Sequence, residues 1–318
     1  MRRLRRERNA PDASPAVNAR NIALRLFAAT GVLFSCSVTG APAMRVVHDD
    51  TGAQRQVPAD NCRIVSLAPG TTAMLYAAGA GRCLVGTIAH SNEPAEAAGV
   101  PVVGDAETLD FENLLALRPT VVVVAVDVVQ RVRIDRIRAF GIPVYEVHVT
   151  SLDQMPASLR RLGALTATEA AANREAQALD GRLRAIADRY RNRTPVRVMY
   201  QIWDRPIYTI GGKHVINDAL NLCGASNVFA DLATAAPAVT REAAVLRNPD
   251  LILMSAPPAS TEEWRAEWAR FPTMSAVRKG LVRTYSDERM DRMGPSVVEA
   301  TAGLCELIDG TRLALRSH

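Results

Sequence analysis

The chain has 318 residues, of which 48% are hydrophobic, and a formal net charge of +5. That length and apolar content suit two domains with real cores and exclude an intrinsically disordered chain. The charge excludes a polyphosphate binder: residues 1–43 hold seven arginines against Glu7 and Asp12, and the rest is balanced at 31 basic and 31 acidic residues, so no global basic field remains for nucleic acid.

Residues 1–43 read as a secretory signal peptide. An Arg-rich start leads into the apolar run "LFAATGVLF" (26–34), which falls short of the about 20 residues of a spanning helix, and then into the small-residue "APA" ending at Ala43. Cleavage after Ala43 is predicted, with lipid attachment at Cys36 in "LFSC" as the alternative. Export leaves Cys62, Cys83, Cys223 and Cys305. In an oxidising compartment an even count predicts two disulfides, with three connectivities open, against the alternative of buried free thiols. No CxxC occurs, and no Cys stands near a His at zinc-ligand spacing.

From residue 63 strands and helices alternate. Strands are predicted over 63–68, 84–88, 120–125 and 143–148, with helices over 71–80, 111–118 and 131–141 between them. Continuous apolar strands separated by helices indicate a parallel sheet covered on both faces. Residues 167–193 differ: apolar positions 172, 176, 179, 183, 186 and 190 recur at alternating steps of four and three, the mark of one amphipathic helix on the order of 40 Å long. After Pro195 the alternation resumes, with strands over 196–202, 250–255 and 281–286 and helices over 215–224, 241–247 and 295–309. The predicted fold is α/β, with two Rossmann-like lobes whose sheets are mostly parallel, a single long helix joining them, and a cleft between. The divisions are 1–43, 44–165 (first lobe), 166–193 (bridging helix) and 194–318 (second lobe).

The unit "DFENLLALRPTVVVV" (110–124) returns as "TREAAVLRNPDLILM" (240–254), with a Glu, an amphipathic stretch, a Pro seven residues on, and an apolar run. Each copy predicts a helix feeding a buried strand, once per lobe.

Together with "RIVSLAPGTTAMLYAAGAG", "YTIGGKHVINDALNLCGASNVF" and "YSDERMDRMGP" in that order, these stretches resemble the exported solute-binding proteins of ABC importers whose lobes are joined by one long helix, and most of all the vitamin B12-binding branch. The resemblance runs from about residue 62 to the C-terminus. It implies a monomer that captures cobalamin or a related corrinoid in the periplasm and hands it to a membrane permease with its ATPase subunits. Glu112 and Glu242 match residues that dock to permease arginines, although a Glu in a first helical turn also favours the helix dipole by about 0.3–1 kcal/mol. A disulfide between Cys223 and Cys305 is implied, which leaves Cys62 and Cys83, near the starts of two adjacent strands, as the other pair. Glu288 and Arg292 match an acid and base pair lining the cleft. The family's pocket tryptophans have no counterpart here: "VAVDVV" (124–129) and "ATAAPAV" (233–239) stand in their place, and His90 occupies a tyrosine position. A ferric siderophore or haem is the alternative ligand.

From the residues themselves, His90 follows a strand, where open α/β sheets hold ligands. It could coordinate the metal of a chelate, hydrogen-bond an amide, or be a solvated loop residue. Trp203 and Tyr208 could present flat apolar area to a macrocycle or pack under their loop. Arg289 and Arg292 could meet carboxylates or a phosphate, or belong to a solvated charged run. Trp264 and Trp268 share a helix face and read as core. No G-x-S-x-G, G-x-x-x-x-G-K-[ST] or H-E-x-x-H is present, so an enzyme is not predicted, and an exported metal chaperone or enzyme is the remaining rival.

Overall fold

The computed structural model describes residues 43–59, 62–105 and 107–316. The signal-peptide reading and Cys36 lie outside these residues, apart from Ala43. The described chain opens on a hairpin absent from the sequence expectations: β1 (Met44–His48) pairs antiparallel with β2 (Gln54–Pro58). Asp49 organises its turn, accepting from the N–H groups of Thr51 and Ala53 at 3.0 Å each and from Arg55 at 2.7 Å.

The first lobe is built on β3 (Ile64–Ser66), β4 (Leu84–Gly86), β5 (Val121–Ala125) and β6 (Val144–Val147), all parallel in the order β4-β3-β5-β6. Alternation along β5 explains its unbroken run of valines. Val121 and Val123 enter the core under α1 (Pro69–Ala77), while Val122 and Val124 enter a second core under α2 (Phe111–Ala116) and α3 (Arg131–Ala139).

Two helices follow, α4 (Met155–Thr166) and α5 (Glu169–Tyr190), turned against each other at the left-handed Ala167. Gly163 permits the close approach, since a Cβ there would come 2.4 Å from that of Ala172. All six apolar positions expected along α5 are buried. This helix touches α1 and α4 on one side and α6 (Val215–Leu222) and α11 (Val297–Arg316) on the other.

The second lobe holds β7 (Val196–Trp203), β8 (Ile207–Thr209), β9 (Ala225–Asn227), β10 (Ala238–Val239), β11 (Leu251–Met254) and β12 (Val282–Thr284). The order is β10-β8-β7-β11-β12 with β9 also on β7; only β8 and β10 add antiparallel pairings. Its helices are α6, α7 (Arg241–Arg247), α8 (Thr261–Ala269), α9 (Ser275–Arg278), α10 (Arg289–Arg292) and α11. Trp264 and Trp268 are core residues beside Met254 and Met274, and the Trp268 indole donates to the buried Gln201 side chain at 2.7 Å.

The repeated unit is repeated in conformation. Asp110 caps α2 by accepting from the Asn113 N–H at 3.0 Å, and Thr240 caps α7 by accepting from the Ala243 N–H at 3.2 Å. Each unit leaves its helix through a left-handed residue just before the proline, Arg118 at φ 44° and Asn248 at φ 43°. An arginine from the lobe's first strand region closes each helix C-terminus: Arg63 donates to the Leu117 carbonyl at 2.7 Å, and Arg197 to that of Asn248 at 2.9 Å. The disulfides are Cys62–Cys83, beside the paired β3 and β4, and Cys223–Cys305, from the end of α6 to α11. Cys223–Cys305 is the pair implied by the family resemblance, and Cys62–Cys83 is the pair that this left.

Candidate functional site

Parallel strands of one lobe end facing the other lobe, and the loops leaving β4, β5 and β6 line the space between, as expected for the carboxyl edge of an open α/β sheet. A cavity of about 440 Å³ lies between the N-terminus of α1, the His90 loop, Asp127 and α10. A second, of about 710 Å³, lies between the β5 and β6 loops, the start of α6 and the loop at 233–236. Asp127, Val128, Val149, Asp291 and Met293 line both, so the two form one interlobe cleft. The apolar part of its lining is mostly alanine, valine and methionine, with no Phe, Tyr or Trp.

The structure brings His90, Glu288 and Arg292 into this cleft. His90 is exposed to it in a left-handed backbone conformation at φ 67°, beside an Ala89 N–H that donates to the Gly104 carbonyl at 2.8 Å. Such a conformation is uncommon outside glycine, though histidine is among the residues that adopt it. Arg292 is already engaged: it meets Glu288, one helical turn back on α10, at 2.5 Å and Glu93 of the first lobe at 3.8 Å.

Trp203 and Tyr208 are not brought into it. They stand opposite each other where β7 pairs with β8 and line neither cavity. Ile202 does line the second one, and adjacent strand residues point to opposite faces. Glu112 and Glu242 are exposed in the first turns of α2 and α7, outside the cleft.

Five polar residues of the cleft had no assigned role from sequence. Asp127 and His148 follow β5 and β6 and approach to 3.1 Å. Lys213 and His214 precede α6, and Asp291 sits on α10, between Glu288 and Arg292 in sequence. The Nδ1 of His214 accepts from the Ile216 N–H at 3.1 Å, and burial lowers its proton affinity, as a neutral capping acceptor requires. The Asp291 carboxyl is raised above the ordinary range, first by burial and then by Glu288 and Asp287, against the pull of Arg292. Strand ends were the available signal, because Asp127 and His148 lie within two residues of the carboxyl ends of β5 and β6. Among the described residues no three His, Cys, Asp or Glu converge as metal ligands.

The sequence profile of the periplasmic binding protein family matches residues 64–288. The chain belongs to that family. A vitamin B12-binding protein of Vibrio parahaemolyticus is 26% identical over 250 residues, covering 79% of this chain and 90% of the relative. One of Yersinia pestis is 27% identical over 244 residues, covering 77% and 85%. The crystal structure of the periplasmic vitamin B12 binding protein BtuF of Vibrio cholerae superposes with a TM-score of 0.72 at 26% identity, over 79% of this chain and 98% of that one. The periplasmic heme-binding protein HutB of Vibrio cholerae, at 21% identity and a TM-score of 0.65 over 78% and 99%, shares the fold. These relatives are binding proteins rather than enzymes, and this binding protein has their two-lobed α/β architecture.

Proposed function

We propose that this protein is the substrate-binding component of an ABC importer, exported by its N-terminal signal and carrying cobalamin or a related corrinoid to a membrane permease without chemical change. The observation that carries the reading is the continuous interlobe cleft, whose two cavities of about 440 and 710 Å³ suit a tetrapyrrole-sized ligand better than a sugar or amino acid. Its alanine, valine and methionine walls fit the faces of a macrocycle, and His90 is placed to reach a metal or an amide at the ligand's edge. Similarity to vitamin B12-binding proteins over most of the chain supports the same ligand class.

Glu112 and Glu242 are the proposed docking points for permease arginines, one per lobe. Their support is the twofold occurrence of a unit capped by a side chain in the same position and, in the second lobe, an 86% exposed Leu246 one turn after Glu242 on the same helix face. The ligand is tested by titrating the purified protein with cyanocobalamin, dicyanocobinamide, haemin and a ferric siderophore. Tight binding of a corrinoid is expected; binding of haemin alone would move the assignment to haem, and binding of only a sugar or amino acid would end it.

A further inference from the structure

A ligand that fills both cavities must pass Asp291, one of the five residues common to their walls. The other charged groups are largely spoken for. Asp127 faces His148 at 3.1 Å, and Glu288 holds Arg292, whose remaining reach is toward Glu93. Lys213 lines the second cavity alone. Among the described residues no hydrogen bond or ion pair engages the Asp291 carboxylate, and Arg292, the cation that acts on it, is held by two other carboxylates. Around the cleft stand three carboxylates, Asp127, Glu288 and Asp291, against the cations Arg292 and Lys213. Asp291 is exposed to the cleft, while partial desolvation and then Glu288 and Asp287 raise its proton affinity against the pull of Arg292.

We infer that Asp291 sets the charge specificity of the cleft, admitting planar metal chelates whose side groups are neutral amides and rejecting those that carry free carboxylates. This rests on the reading of the cleft as a site for a macrocyclic chelate and narrows it by charge. An anionic side group at the junction of the cavities would meet the Asp291 carboxylate, with Arg292 already held by Glu288 and Glu93 and Lys213 the one uncommitted Lys or Arg of the cleft among the described residues. An amide in the same place would donate its N–H to Asp291 in a charge-assisted hydrogen bond. Like charges within about 6 Å of each other in a partly solvated site cost on the order of a tenfold loss in affinity.

The experiment uses two matched pairs of probes, cyanocobalamin with its monocarboxylate derivatives, and haemin dimethyl ester with haemin, against the wild-type protein and Asp291→Asn. The wild-type protein is expected to prefer the uncharged member by about tenfold, and the near-isosteric variant to lose that preference through a gain for the anionic member. A thermal melt confirms that the variant is folded. Equal preference in wild type and variant overturns the inference, as does a wild-type protein that binds the anionic member as tightly as the neutral one. If no corrinoid binds, the corrinoid assignment fails, and the haemin pair still decides the role of Asp291. Failure of all four probes with both proteins overturns both.

Discussion

Gly70 and Arg292 meet across the lobe boundary, backbone to backbone: a Cβ placed on Gly70 would lie 2.2 Å from the Arg292 carbonyl oxygen and 2.9 Å from that of Met293. The start of α1 therefore seats directly on the turn that follows α10. Because the obstructing atoms are main chain, no side-chain rotation can make room. Gly70→Ala should push the lobes apart at this edge, with overpacking costs of about 1–3 kcal/mol. A lower melting temperature together with weaker ligand binding is the expected pair of results, and an unchanged melt would show that the seam yields freely.

Gly181 is the opposite case. It lies exposed in the interior of α5, and nothing stands within 4 Å of where its Cβ would be. Gly181→Ala should stabilise the protein by about 0.5–1 kcal/mol through helix propensity, seen as a raised denaturation midpoint. A fall would mean that α5 depends on bending at this residue.

The two disulfides differ in reach. Cys223–Cys305 closes a sequence separation of 82 residues and Cys62–Cys83 one of 21. On the chain-entropy model these correspond to about 4.5 and about 3 kcal/mol. Cys305→Ser should therefore cost more stability than Cys83→Ser, measured by denaturant titration. Peptide mapping that finds both Cys223 and Cys305 alkylatable without reductant would remove the premise.

His214 and Asp291 should respond to acid in opposite senses. The folded protein lowers the proton affinity of His214, so the unfolded chain takes up that proton first. Its contribution is complete above about pH 6.5 and is lost as pH falls below that value. Asp291 is raised in the folded state, so its ionised form costs stability above its folded pKa, and the cost fades as pH drops through it. His214→Asn should flatten the loss of stability between about pH 7 and pH 5. Asp291→Asn should raise the melting temperature at neutral pH with an advantage that shrinks in acid, and identical pH profiles for variant and wild type would refute the corresponding assignment.

Charge reversal at both Glu112 and Glu242 should abolish uptake in permease-containing vesicles while ligand affinity stays within about twofold, since neither lines the cleft, and rim charges govern association more than release. A purely helix-stabilising role predicts normal uptake and a loss of about 0.3–1 kcal/mol per site. Measuring melting, affinity and uptake on one double variant separates the two.

Much of the fold was legible because each central strand is buried on two faces. Runs such as Val121–Ala125 and Leu251–Met254 carry that signal without any polar interruption. The hairpin β1 and β2 gave none: its strands carry Arg45, Gln54, Arg55 and Gln56, and what holds it is a turn built on Asp49. In the cleft, His90, Glu288 and Arg292 were reached through motif and strand position. Trp203 and Tyr208 have the ring chemistry for a macrocycle, but the facing of a residue depends on alternation within β7 and β8, where one step changes sides. Asp291 is not legible because the charged stretch 287–292 has no pattern that tells which of Asp287, Glu288 and Asp291 lines both cavities.

The seat of α1 on the turn after α10 also orders events in time. Residues 69 and 70 leave the ribosome early, and their partners at 292–294 lie in the last stretch of the chain. Local strand and helix units can close as they are made, but this contact waits until nearly the whole length is available. Until then one wall of the cleft has no counterpart. A chain without its last stretch therefore has no enclosed binding space, and the capacity to hold a ligand depends on residues near both ends of the described chain.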